Sequence, residues 1–277
     1  MLTDYHIHSS VSVDGVDTMT DMARASYARG VRALCFTDHV DLDFHGTGLP
    51  DPDCFNCRAA MLEMFQTARR ETPADLRLAL GIELGEGNHD VERFCEISSS
   101  PELDFVLGSL HNIRGTIDFY DLRYTSLSEV ETLAERYLDE LIELSNLPYF
   151  DVMAHIGYIA RYIRRDGFRD FAVTMDNYGD KLDIILKNLI SHGRGVELNC
   201  SGLRRNPPEE TLPGADIVRR YRQLGGEIIT LGSDAHKTAH AGLHLAEGAE
   251  LLRGAGFKYV TIYQKRKPEF IPLSKLD

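Results

Sequence analysis

Hydrophobic residues in this chain fall into two alternating patterns. Short, nearly continuous apolar runs read as buried strands. Stretches with apolar residues every three or four positions read as helices with one packed face. Strands are expected at residues 2–8, 31–36, 76–83, 105–110, 151–154, 196–200 and 227–231, with a short terminal one at 259–263. Helices are expected at 20–29, 59–70, 180–190, 216–224 and 243–252. The longest helix opens at the capping box Ser126-Leu-Ser-Glu129 and runs ~18 residues to about Asn146. Gly30, Gly193 with Gly195, and Gly225-Gly226 mark helix ends. Residues 41–53, with Gly46, Gly48, Pro50 and Pro52, read as a polar loop. Residues 156–176 read as a basic, irregular insertion carrying Arg161, Arg164, Arg165 and Arg169.

This alternation implies right-handed βαβ units and a parallel sheet. About seven such units fit a (β/α) barrel better than an open sheet. No repeat, low-complexity tract or linker interrupts the pattern, so residues 1–277 are expected to form one domain. In barrels and open α/β sheets alike, sites form at the carboxyl ends of the strands.

Those ends carry the chemistry. Asp4-Tyr5-His6-Ile7-His8 places two histidines two apart, on one face of a strand. Near the other end of the chain, Leu231-Gly232-Ser233-Asp234-Ala235-His236 again closes an apolar strand with two polar residues two apart. Between them, His39, Glu83, His111 and His155 also close apolar runs. Buried polar groups without partners are costly, so such a series at strand ends points to a shared purpose. The set is imidazole and carboxylate with no thiolate, which suits Zn, Mn or Fe. Counting Asp14, nine side chains are too many for one tetrahedral ion. They suggest two or three metals with Glu83 as the natural bridge, and clustered divalent ions point to hydrolysis of phosphate esters.

Composition narrows the picture slightly. The formal net charge of −13 argues against a surface that coats nucleic acid. No apolar run approaches the ~18–20 residues of a membrane span. The first residues show neither a basic flank nor an apolar core of a signal peptide, so a cytoplasmic protein is expected. The five cysteines are odd in number and scattered, unlike a disulfide framework. Cys54-x-x-Cys57 has no second pair to complete a zinc site and reads as an ordinary loop.

Taken together, His6-x-His8, Thr37-Asp38-His39, Gly81-Ile82-Glu83, Gly108-Ser109-Leu110-His111, Ala154-His155 and Ser233-Asp234-Ala235-His236 resemble the PHP (polymerase and histidinol phosphatase) superfamily of metal-dependent phosphoesterases. The resemblance covers nearly the whole chain and is strongest to the monofunctional histidinol-phosphatases. It implies a distorted (β/α)7 TIM-like barrel holding three divalent metal ions. By position, His6, His8, Glu83 and Asp234 would hold one ion. Glu83, His111 and His155 would hold the second, and Asp14, His39 and His236 the third. Asp14 stands where many relatives have a histidine. It also reads as a turn residue before Gly15.

The same resemblance makes Arg161, six residues after His155, a phosphate-binding arginine, since a guanidinium fork matches phosphate oxygens. Arg204 and Arg205, after Asn199-Cys200-Ser201-Gly202, are further clamps or solvated charges. His45 is an acid, a substrate contact or a surface loop residue. His236, His240 and His244 are spaced to share a helix face, the last two as surface residues. His89 and His192 read as structural or exposed. The implied reaction is hydrolysis of L-histidinol phosphate, a small phosphorylated substrate, to L-histidinol and phosphate. A metal-bridging hydroxide would attack phosphorus in line. The general acid stays open between metal-bound water, His45 and a loop residue. Two alternatives remain: cleavage of another phosphomonoester or of a nucleotide or nucleic-acid phosphodiester, and a non-catalytic metal-binding module.

Overall fold

The computed structural model describes residues 1–50 and 58–276, with residues 45 and 58 described for their backbone alone. Seven strands run in parallel and pair in chain order. They are β1 (Leu2–Ile7), β2 (Val31–Asp41), β3 (Arg77–Gly85), β4 (Phe105–Ser109), β5 (Val152–Met153), β6 (Gly195–Asn199) and β7 (Ile229–Gly232). The sheet curls until its edges meet: Asp234 N–H donates to His6 O at 2.7 Å, and His8 N–H to Ala235 O at 2.9 Å. The result is a nearly closed barrel, as the count of βαβ units predicts. Helices α1 (Met19–Ala28), α2 (Arg58–Glu71), α3 (Val91–Ser98), α4 (Leu127–Asn146), α5 (Ile159–Arg165), α6 (Met175–Ser191), α7 (Ala215–Gln223) and α8 (Leu245–Gly254) connect the strands.

The pleat sorts side chains into two layers. Leu34 and Phe36 of β2, Leu80, Ile82 and Leu84 of β3, and Val196 and Leu198 of β6 join the large core shared with the helices. The alternate residues Ala33, Cys35, Ala79, Phe105, Leu107 and Val152 form a second, smaller core with Tyr5. Farther along the same faces stand His39, Glu83, His111 and Asn199, so the inner layer changes from apolar to polar toward the strand ends. Gly81 shows how tight this layer is. A Cβ there would lie 2.8 Å from Phe105 O and 2.9 Å from Cys35 Sγ.

The helix signals act locally as expected. Ser126 Oγ accepts from Glu129 N–H at 3.3 Å, and Glu129 accepts from Thr125 N–H at 3.0 Å. Thr18 Oγ1 likewise caps α1 through Asp21 N–H at 3.1 Å.

Several expectations need correction. The basic insertion is not irregular throughout: α5 lies inside it, with Ile159, Ala160, Arg161, Tyr162 and Ile163 buried. Helix α3 was not expected; Asp90 caps it through Arg93 N–H. Strand β2 continues through the Thr-Asp-His motif to Asp41, and α6 starts five residues before the expected 180. The expected terminal strand is β8 (Tyr259–Gln264), which pairs antiparallel with an unexpected β9 (Lys267–Pro272) outside the barrel. This hairpin closes the end of the barrel opposite the histidines: Tyr5 Oη donates to Tyr263 O at 2.9 Å, and Thr261 Oγ1 accepts from Ile229 N–H at 3.2 Å. His236 and His240 do not share a helix with His244, because α8 begins only after His244, whose φ is 61°. Cys54, Cys57 and residues 51–53 lie outside the described residues.

Candidate metal centre

The barrel brings all nine candidate side chains to one end. Glu83, on β3, sits at the centre with no solvent exposure. Its Oε2 lies 3.1 Å from His6 Nε2, 3.4 Å from His8 Nε2 and 3.2 Å from His39 Nδ1. Its Oε1 lies 2.7 Å from His155 Nε2 and 3.1 Å from His111 Nε2. Asp234 Oδ1 lies 3.8 Å from His6 Nε2, 3.7 Å from His8 Nε2 and 3.7 Å from His236 Nδ1. Asp14, at the exposed rim, reaches His236 Nε2 at 3.1 Å and His39 Nε2 at 3.8 Å. The turn reading of Asp14 therefore accounts for its backbone but not for these two contacts.

Charge in this cluster is tightly matched. Burial alone would push the Glu83 carboxyl up, but His6, His111 and His39 hold it well below the usual range. Asp234 is likewise lowered against its burial by His6, His236 and Arg161. His6 is raised because the carboxylates of Glu197, Glu83 and Asp234 outweigh its desolvation. His8 is pushed well down by burial and by the neighbouring His236 and His39. The carboxylates and imidazoles thus hold one another in place.

This donor set fits divalent cations. Ligands about 2.1 Å from one ion stand roughly 3–3.5 Å from each other, which is the spacing seen around Glu83. His6, His8 and Asp234, then His6, Glu83 and His155, then His39, Glu83 and His111, then His8, His39 and His236 each place ligand atoms within 4.8 Å of one another. Where a cation binds, its charge replaces protons that otherwise balance the carboxylates.

A second ring of side chains supports the first. Asp38 accepts from Ser9 N–H at 2.7 Å and from Ser12 Oγ at 2.7 Å, while Ser12 Oγ also meets His8 Nδ1 at 3.2 Å. Asp41 lies 3.1 Å from His111 Nδ1. Glu197 lies 2.7 Å from His6 Nδ1. The sequence reading singled out none of these for a role. The signal was present in Glu197, a charge inside the apolar run of β6, and in Asp38 between two motif residues.

Arg161 is buried on α5 beside the cluster. Its Nη2 donates to Ser201 Oγ, and its Nη1 lies 3.9 Å from Asp234 Oδ2. Arg204 instead donates to the backbone carbonyls of Ser233 and Asp234, bracing the turn after β7. Arg205 is more exposed and faces Glu209 at 3.5 Å. His45 lies in a single 3-10 turn, Phe44–Gly46, and its side chain is outside the description. His89 is buried between Asp43 at 2.8 Å and Glu140 at 2.5 Å, a structural position. His192 is exposed at the end of α6, and His244 pairs with Glu247 at 3.1 Å.

Comparison with known proteins agrees with this architecture. The family model described as PHP domain matches residues 4–201. A histidinol-phosphatase of Lactococcus lactis is 27% identical over 269 residues, covering 95% of each chain. A probable histidinol-phosphatase of Clostridium acetobutylicum is 27% identical over 269 residues, covering 96% of this chain and 98% of its own. The crystal structure of the Lactococcus lactis histidinol phosphate phosphatase, complexed with zinc, L-histidinol and phosphate, superposes with a TM-score of 0.79 at 23% identity, covering 97% of this chain and 98% of that one. The family match ends before β7, which adds Asp234 and His236 to the same cluster. By the match over most of its length, this chain belongs to the PHP domain family.

Proposed function

We propose that this chain is a metal-dependent phosphomonoesterase that hydrolyses L-histidinol phosphate to L-histidinol and phosphate. The observation that carries the proposal is Glu83, whose two oxygens meet five imidazoles within 3.4 Å. Three divalent ions of the Zn, Mn or Fe type suit the donors. His6, His8, Glu83 and Asp234 hold the first, Glu83, His111 and His155 the second, and Asp14, His39 and His236 the third. Residues 1–277 act as one barrel domain. Full-length similarity to histidinol-phosphatases supports the choice of substrate.

When bound, such ions supply Lewis acidity, making water a nucleophile near neutral pH and drawing charge from phosphoryl oxygens. The chain's own residues do the positioning. Arg161, held by Ser201 and Asp234 at the edge of the cluster, directs its fork at the phosphoryl oxygens. Asp38 and Asp41 hold His8 and His111 at fixed angles through the contacts described above. Arg204 keeps the turn bearing Asp234 in place.

The test is phosphate release from a panel containing L-histidinol phosphate, other small phosphomonoesters and a phosphodiester. For L-histidinol phosphate, kcat/KM at least ~100-fold above the other monoesters is expected, the scale that specific polar contacts supply. Equal rates across the monoesters would leave a general phosphatase, and a preference for the diester would contradict the proposal.

A further inference from the structure

Glu197 is a carboxylate in the middle of an apolar strand, with no solvent exposure. Both of its oxygens are engaged. Oε1 meets His6 Nδ1 at 2.7 Å, and Oε2 accepts from the backbone N–H of His155 at 2.8 Å. Asn199 Nδ2 lies 3.3 Å from each of these oxygens and 3.3 Å from Asp234 Oδ2. A single buried carboxylate thus touches two members of the metal cluster, from β1 and from the end of β5, and is linked to a third.

Both contacts answer a local need. A neutral imidazole carries one proton, and an acceptor at Nδ1 keeps it there, leaving the Nε2 lone pair for a ligand. His6 Nε2 is the atom that faces Glu83. Strand β5 is only two residues long. Ala154 N–H still pairs with Gly108 O at 3.0 Å, but the next N–H, that of His155, goes to Glu197. The neighbouring strand makes room for the pair: a Cβ on Gly232 would lie 2.1 Å from Glu197 Oε1 and 2.5 Å from His6 Cβ.

We infer that Glu197 is a positioning residue that holds His6 in its Nδ1–H form and sets the place of His155, so that both Nε2 atoms face the ions. The inference rests on the assignment of His6 and His155 as ligands made above. Glu197→Gln separates it from a packing role. The amide keeps the shape but offers one acceptor. If that oxygen stays with His155 N–H, the amide NH2 faces His6 Nδ1 and drives the imidazole proton onto Nε2, the ligand atom.

The experiment is a competition titration of zinc against a chromophoric chelator, for the metal-free wild type and Glu197→Gln, with urea unfolding of both metal-free proteins. Zinc binding weaker by roughly 10- to 100-fold, with the unfolding midpoint nearly unchanged, is expected. Equal zinc affinity, or lost stability with affinity unchanged, would overturn the inference. A wild type that binds no zinc would overturn the ligand assignment and the inference with it. Should the variant not fold, imidazole 1H–15N correlation spectra of the zinc-loaded wild type decide. A proton on His6 Nδ1 is expected, and its absence there overturns the role of Glu197.

Discussion

At the scale of single residues, Glu83 is the point on which the site turns. Its oxygens divide the imidazoles, Oε2 facing His6, His8 and His39, and Oε1 facing His111 and His155. Glu83→Gln removes the charge and one acceptor while keeping the volume. Metal content should fall, and kcat/KM should drop by at least ~100-fold, beyond what loss of a supporting contact causes. The circular dichroism spectrum should stay that of a folded barrel. Near-normal turnover with full metal content would show that Glu83 bridges nothing. Arg161 gives a different signature. Arg161→Ala should leave the metals in place and lower kcat/KM by roughly 30- to 1,000-fold, the effect of losing about 2–4 kcal/mol of charge-assisted contact. Lysine should restore only part, since it keeps the charge and loses the fork. A fall below about threefold in a protein with intact metal content would move the phosphate clamp to Arg205. Eight of the nine cluster residues were legible because each lies in or just after an apolar run, whereas Asp14, in a polar turn, was legible only from its position six residues after His8. Asp38, Asp41 and Glu197 were not read as supports, because a contact between strands far apart in sequence leaves no local spacing.

Elements explain how loops come to carry these residues. Strands β2 and β3 run past the apolar core and end in loops braced by the buried trio Asp43, His89 and Glu140, the last from α4. Glu140 also accepts from Arg114 N–H at 2.9 Å, which ties in the loop after β4. His89→Ala leaves two largely buried carboxylates short of a partner. It should cost on the order of 3 kcal/mol in urea unfolding, with zinc affinity retained. A change below about 0.5 kcal/mol, the range of ordinary surface substitutions, would mean the trio does not brace the loops. The elements that sequence reading missed are those with weak local signals. Helix α5 is seven residues long and arginine-rich, so its buried face is set by the barrel rather than by periodicity. Strand β9 contains Pro268 and Pro272, which argue against a strand except at an edge, where it lies. The pattern 236-240-244 suggested a helix face, and the left-handed backbone at His244 prevents it.

On the scale of the whole molecule, closure of the barrel is what makes a site. His6 and Asp234 are at opposite ends of the chain, and they meet only because β7 returns beside β1. That closure was readable from the count of alternating strands and helices, whereas of the hairpin plugging the far end only β8 was, because the pairing with β9 and the contacts with Tyr5 and Ile229 leave no local pattern. Among the described residues, no helix is long and apolar enough to cross a membrane. The decisive measurement is a titration of metal-free protein with zinc, following hydrolysis of L-histidinol phosphate and bound metal in the same samples. About three equivalents per chain should bind, with turnover absent from the metal-free protein and rising as the cluster fills. Full turnover without metal, or binding that saturates at one equivalent, would contradict a clustered metal centre at the end of this barrel.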